Sequence, residues 1–323
     1  MAAPRLTRLR PTPDRPRPAT ATDASRRGAT VATRAGRGAA PWMVPLLVVV
    51  TLFYLYPAIQ VLHFSFTNAS LLREDHRYGL ESYMRVLTGP AFLHVVWITL
   101  IFVLVSIALQ LAMGLVIALA VQHGTRHRLR GTGLIRTLVL TSWVMPGIVI
   151  GVIWQIVLNS GSYGLANSVL ASAGLPRVGF LTGSTMALWS VIVANVWRGT
   201  AFSMILQYAG LQAIDPVLYE AAAVDGASRW QSFWRVTLPS LRPILMINLV
   251  LISIQTFNTF DMVLALTGGG PGRATEVLAL HTYNVIFRGF SLGQGSVLAV
   301  VMLALSLLFT MVYVRALCTE ARL

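Results

Sequence analysis

Residues Asp215 to Pro239 read D-P-V-L-Y-E-A-A-A-V-D-G-A-S-R-W-Q-S-F-W-R-V-T-L-P, a charged, capped segment between apolar runs of membrane length. Asp215 followed by Pro216 marks a helix start, because the carboxylate accepts free N–H groups of the first turn and proline's fixed φ suits the first helical position. Glu220, Ala221, Ala222 and Ala223 propagate a short helix, and at Gly226 the chain can turn sharply at no steric cost. Ser228 with Gln231 three residues on forms a capping box for a second helix, in which Trp230, Phe233 and Trp234 recur at i, i+3, i+4 spacing as one apolar face. Pro239 and Pro243 are expected to limit that helix. The segment reads as two short helices at an angle, a knob on the membrane surface that requires a socket on a partner.

The rest of the chain supplies the membrane. Of 323 residues 55% are hydrophobic and 11% charged, far from the roughly one-quarter charged make-up of a soluble domain, so this is an all-α integral membrane protein. All 25 basic residues are arginine. Without lysine there is no P-loop phosphate cradle, and any ATP, with its Mg, is handled by a partner. The lone Cys318 cannot form an internal disulfide and suggests no redox or metal role. No Ser/His/Asp set, paired acids or metal cluster is apparent, His63, His94 and His281 lack partners at ligand spacing, and no enzyme active site is expected.

Residues 1–40 hold nine arginines against Asp14 and Asp23 and read as a disordered basic tail, retained beside the membrane rather than bound to nucleic acid. Residues 41–316 form the transmembrane domain and 317–323 a short C-terminal tail. Six apolar spans are predicted, each near the 20 or so residues a bilayer core needs: Trp42–Phe66, with Pro45 and Pro57 as kinks, Phe92–Val121, Ile135–Leu158, Ser184–Leu206, Ile244–Leu266 and Leu292–Val314. Eighteen arginines fall on the side of the two tails and the 122–136 and 207–242 loops, and six on the other. The positive-inside rule then makes both termini, and the knob, cytoplasmic in a multi-pass protein of the cell membrane. Trp42, Trp97, Trp143 and Trp189 sit near span ends and fit interfacial belts.

The knob resembles the E-A-A loop of ATP-binding-cassette import permeases, E-A-A-x-x-x-G followed by an apolar residue and L-P, at Glu220, Ala221, Ala222, Gly226, Leu238 and Pro239. The resemblance implies a six-helix type I importer permease fold whose coupling helix, with Asp225, Ala227 and Trp230 beside the motif, docks on the ATPase. The run L-T-G-G-G-P from Leu266 to Pro271, with Tyr283 and Phe287 after it, resembles carbohydrate permeases of the maltose and glycerol-phosphate type. Within that group the overall pattern, the arginine-only composition and the tail resemble those of trehalose permeases, which implies trehalose as the sugar. The resemblance implies a second permease subunit, two ATPase subunits and an extracytoplasmic sugar-binding lipoprotein as partners.

Polar residues that persist inside a membrane usually face a cavity or the bundle interior. The fourth span carries Asn195, Trp197, Arg198, Gly199 and Phe202, and the fifth carries Gln255, Thr256, Asn258, Thr259 and Asp261. Gln255, Asn258, Thr259 and Met262 share a face at helical spacing. Their amides suit the hydroxyls of a neutral sugar, and Trp197 and Phe202 suit stacking on its ring. The alternative is interhelical glue; for Asp261, pairing within the protein and substrate contact are both open. Maltose-type permeases carry N-x-W-L-G-x-x-Y in this span, which is similar to the sequence at Asn195, Trp197 and Gly199 but not at Arg198 and Phe202. The expected substrate is a disaccharide, with a glycerol-phosphate or other polyol as the alternative, since guanidinium binds phosphate. An ion-coupled secondary transporter is the rival from another class, and it would show inverted repeats and a broken mid-membrane helix.

Overall fold

The computed structural model describes residues 42–161 and 163–320, with side chains through residue 315. The basic tail of residues 1–40, the side chain of Cys318 and the last three residues lie outside that description. Among the described residues every regular element is helical, with only isolated bridges at Thr67–Tyr78 and Ser70–Arg73.

The chain divides into two units, Met1–Ile59 and Gln60–Leu323. The first contributes most of α1 (Trp42–Ser65), whose residues 42–59 are all exposed and mostly apolar. Pro57 cannot donate to the carbonyl four residues back. The helix meets it with a π turn over Thr51–Leu55, where the Tyr56 N–H bonds to Thr51 O.

The second unit begins, after the end of α1, with α2 (Glu81–Leu87) and α3 (Phe92–Arg126). The third predicted span is not one rod: α4 (Thr132–Val144) and α5 (Gly147–Val157) meet at 107°. Pro146 is the cause, since it excludes Met145 from the helical region and Met145 is extended at φ −69°, ψ 137°. After the short α6 (Leu165–Ser172), α7 (Ser184–Ala213) runs longer than the predicted fourth span and lies along α3. The chain then passes through α8 (Pro216–Val224) into α9 (Arg229–Phe257). Four helices, α1, α3, α9 and α12 (Leu292–Glu320), are each long and apolar enough to cross a membrane, and the bent α4–α5 pair makes a fifth span if counted as one.

Two expectations about α9 are corrected. Pro239 and Pro243 do not limit the second helix of the knob, because a π turn over Phe233–Thr237, with the Leu238 N–H bonded to Phe233 O, carries it past Pro239 into the membrane helix. The fifth span also stops early. Asn258 caps α9 and the chain breaks before α10 (Asp261–Leu266), so Gln255 and Met262 do not share one continuous helix. A broken helix is among the features expected of the ion-coupled rival, and here the break lines a cavity described below. The chain closes through α11 (Leu278–Tyr283, continued by a π turn to Arg288) and α12.

The core sits where α3, α7, α9 and α10 meet, around Phe102, Ile107, Ile192, Ile252, Phe257 and Met262. In lipid the hydrophobic effect does not hold helices together, so close packing and polar contacts matter more. Gly114 of α3 lies so near Ser203 of α7 that a side chain at 114 would overlap it. Three glutamines stitch the same pair of helices: Gln110 donates to Asn195 O at 3.3 Å, Gln207 to Leu111 O at 3.2 Å and Gln122 to Leu211 O at 3.1 Å.

Candidate functional site

The knob forms through local chemistry. Asp215 accepts the Val217 N–H at 2.9 Å, and Ser228 and Gln231 bond each other's backbone N–H groups at 3.3 and 2.8 Å. Gly226 has φ +74°, a value that costs other residues about 1–2 kcal/mol. Asp225 caps the end of α8. Tyr219 and Thr237 hydroxyls meet at 3.0 Å and tie α8 to the π turn of α9. Trp230 stacks on Phe233 at 6.0 Å and meets Trp234 edge-on. Glu220, Ala221 and Trp230 are exposed and Ala222 and Ala227 half-buried, so the knob presents an apolar surface with Val224 and Trp230 outermost.

The second site is a cavity of about 690 Å³ at the break between α9 and α10. It collects Asn195, Arg198 and Gly199 from α7, Gln255 and Thr256 from α9, Asn258 and Thr259 from the break, and Asp261 from α10. The break is satisfied from within: Asn258 Nδ2 donates to Ile254 O at 2.8 Å and Thr259 Oγ1 to Gln255 O at 3.0 Å. Non-helical backbone at membrane depth is tolerated where it lines such a cavity.

Trp197 and Phe202 do not line it. Trp197 turns to Trp154, 6.2 Å away, and Phe202 packs on Trp143 at 5.7 Å. Trp143 itself lines the cavity, a correction to its reading as an interfacial belt residue. Gln110 and Phe260 also line it and were not singled out. Gln110 was signalled by being a lone amide in an otherwise apolar stretch of span. Trp143 and Phe260 carry no such sign, because an aromatic residue near a span end or helix break looks the same whichever way it faces.

Arg198 Nη1 lies 3.8 Å from Asp261 Oδ1, with about 30% of each side chain exposed. Asp261 sits over Gly147, where any side chain would strike its carboxylate, and Gly199 likewise leaves room for Gln110. Asn195 is 4% exposed and its Nδ2 has no partner among the described residues. A buried, unpaired donor on a cavity wall is a group awaiting a ligand or water. Among the described residues of the lining the one arginine is paired with the one carboxylate, so the ionisable groups balance and amides and hydroxyls make up the remaining polar wall.

Above the break, Phe260 stacks on Tyr283 at 5.4 Å and Tyr283 meets Phe287 at 5.0 Å, leading to the glycine-rich loop. Gly269 there has φ +93° and faces Glu276. His281 bonds Glu276 at 3.0 Å, Asn284 donates to the same oxygen at 3.1 Å, and Arg273 reaches the other at 3.4 Å. Burial disfavours the Glu276 carboxylate, but those hydrogen bonds and the charges of His281 and Arg273 outweigh it and hold the group below the ordinary range. No cluster among the described residues fits a metal ion.

The chain is 37% identical over 274 residues to the trehalose/maltose transport system permease protein MalF of Thermococcus litoralis, covering 84% of this chain and 91% of that one. It is 32% identical to the sn-glycerol-3-phosphate transport system permease protein UgpA of Brucella abortus, over 83% of this chain and 90% of the relative. A crystal structure of a bacterial importer of the acidic polysaccharide alginate shares the fold, with a TM-score of 0.74 at 22% identity over 88% of this chain and 98% of that one. The model of the binding-protein-dependent transport system inner membrane component family matches residues 110–318, and this chain, with its knob, its broken helix and its cavity, belongs to that family as a non-enzymatic permease component of an ABC transporter.

Proposed function

We propose that this chain is one of two permease subunits of an ATP-driven importer of a neutral disaccharide, trehalose foremost. The observation that carries the reading is the charge-balanced cavity, where Arg198 faces Asp261 while Asn195, Gln255, Asn258 and Thr259 offer amides and a hydroxyl. A phosphorylated polyol would need that arginine free, and hydroxyls need the donor and acceptor pairs that amides supply. The trehalose/maltose relative, at the higher identity, points the same way, and the glycerol-phosphate relative marks the alternative.

The transmembrane domain spans residues 41–316, both termini and the knob are cytoplasmic, and an extracytoplasmic binding lipoprotein delivers the sugar. Two ATP-binding-cassette subunits hold ATP and Mg and receive the knobs at Glu220, Ala221, Ala222, Asp225, Gly226, Ala227 and Trp230. Alternating access follows: closure of the ATPases moves the knob, and α9 carries that movement to the cavity about 43 Å away along a continuous helix. Uptake of labelled trehalose by the reconstituted importer tests the substrate, with maltose and glycerol 3-phosphate as competitors. Competition by the two disaccharides and none by glycerol 3-phosphate is the expected result; the reverse order overturns it.

A further inference from the structure

We propose that the groove between the end of α3 and the start of α8–α9 binds the phosphate headgroup of an anionic phospholipid, which thereby ties the knob to the membrane. The groove encloses about 550 Å³. Its polarity is ordered along α3: Leu119 lines one level, and Arg126 stands seven residues, about 10 Å, further along the axis of a membrane-spanning helix. A phospholipid, with its acyl chains below a phosphate, has the same order of polarity.

The cationic end gathers groups from two elements. Arg126 comes from the last turn of α3 and Arg229 from the first turn of α9, with the rings of His123 and the capping His127, 4.3 Å apart, beside them. Arg126 is held over the Tyr219 ring at 5.4 Å, so part of its entropy is already lost. Among the described residues the groove lining contains no carboxylate, and neither Arg126 nor Arg229 forms an ion pair. Arg136, over the Tyr208 ring, adds charge nearby. Clustered cations at the end of a membrane helix with no anion of their own fit a headgroup phosphate. The chain's own N-terminal tail is a poor occupant, since it is itself strongly basic.

A phosphate shared by Arg126 of α3 and Arg229 of α9 would bridge the helix that packs on the cavity wall and the helix that carries the knob. Lipid composition would then set how firmly the two are coupled.

The test counts phosphatidylglycerol retained by the intact importer from nanodiscs of phosphatidylcholine doped with phosphatidylglycerol, read by native mass spectrometry. Wild type is expected to keep the lipid, and Arg126→Gln/Arg229→Gln to lose about thirtyfold in affinity, the combined effect of two arginines at a charged surface. The charge-matched control Arg73→Gln/Arg77→Gln is expected to keep it. Equal retention by the two double variants overturns the proposal. So does inorganic phosphate that displaces the lipid as tightly as the lipid binds, which would assign the groove to a soluble anion. The readout involves no sugar, so it stands or falls separately from the substrate proposed above.

Discussion

The knob and the cavity are built in opposite ways. The caps that shape the knob, from Asp215 to the Ser228–Gln231 box, join residues within a few positions of each other, and longer reaches are made through Tyr219, to Thr237 and to Arg126. The cavity draws on Gln110, Trp143, Asn195 and Asp261, side chains spread over some 150 residues of chain and four helices. A local device can be swapped or lost without disturbing its neighbours, whereas a cavity changes whenever any of its walls moves. The two are joined by α9, which starts in the knob and brings Gln255 and Thr256 to the cavity wall near its end.

The contrast predicts separable failures, the largest at the knob. Gly226→Val forces a β-branched residue to φ +74° in a segment proposed to dock on the ATPase. Uptake should fall at least about tenfold, the counterpart of ~1.4 kcal/mol, while sugar binding to the purified complex persists. Gly199→Leu is the matching lesion in the cavity. It displaces Gln110, which donates to Asn195 O, and should cost a similar factor in sugar affinity while ATPase subunits still co-purify. If Gly226→Val also abolished sugar binding, the two regions would not be separable.

A smaller effect sharpens the reading of Arg198. Arg198→Leu leaves Asp261 unpaired and should destabilise the chain by about 1–3 kcal/mol in a thermal-shift measurement, the cost of stranding a charged group. Adding Asp261→Asn should restore most of it. Restored stability with restored uptake makes the pair structural; restored stability without uptake makes Arg198 a sugar contact.

The smallest effect lies in the glycine-rich loop and depends on pH. Because the folded Glu276 carboxyl sits below its ordinary range, its contribution is complete above that range and is lost as the pH falls through the lower folded value. Glu276→Gln should therefore cost about 1 kcal/mol at neutral pH, with the gap to wild type closing below about pH 4. A gap that widened on acidification would contradict the charged state assigned to Glu276.

What could be read before folding follows the same division. The knob was legible because capping, proline placement and a positive-φ glycine act over a few residues. Its exit was not, since the π turn at Phe233–Thr237 lets the helix absorb Pro239 instead of ending there. Polar residues inside spans pointed to most of the cavity, as their cost in lipid requires. Their directions were not legible: after the break at Asn258, Asp261 lines the cavity with Gln255 while Met262 is buried in the core, and Trp197 and Phe202 turn to Trp154 and Trp143. The 107° bend at Pro146 belongs with these, because proline in a membrane helix is compatible with a mild kink or a full turn, and neighbouring packing decides.

The measurement that bears most directly on the link between the two regions is ATP hydrolysis by the complete importer in nanodiscs, with binding protein and trehalose. Wild type, Glu220→Ala, Gly226→Val and Gly199→Leu would be compared. The account predicts that trehalose stimulates the wild type, that the two knob variants bind sugar but lose the stimulation, and that Gly199→Leu regains it only at higher sugar concentration. Stimulation that survives both knob variants would contradict a path through α9.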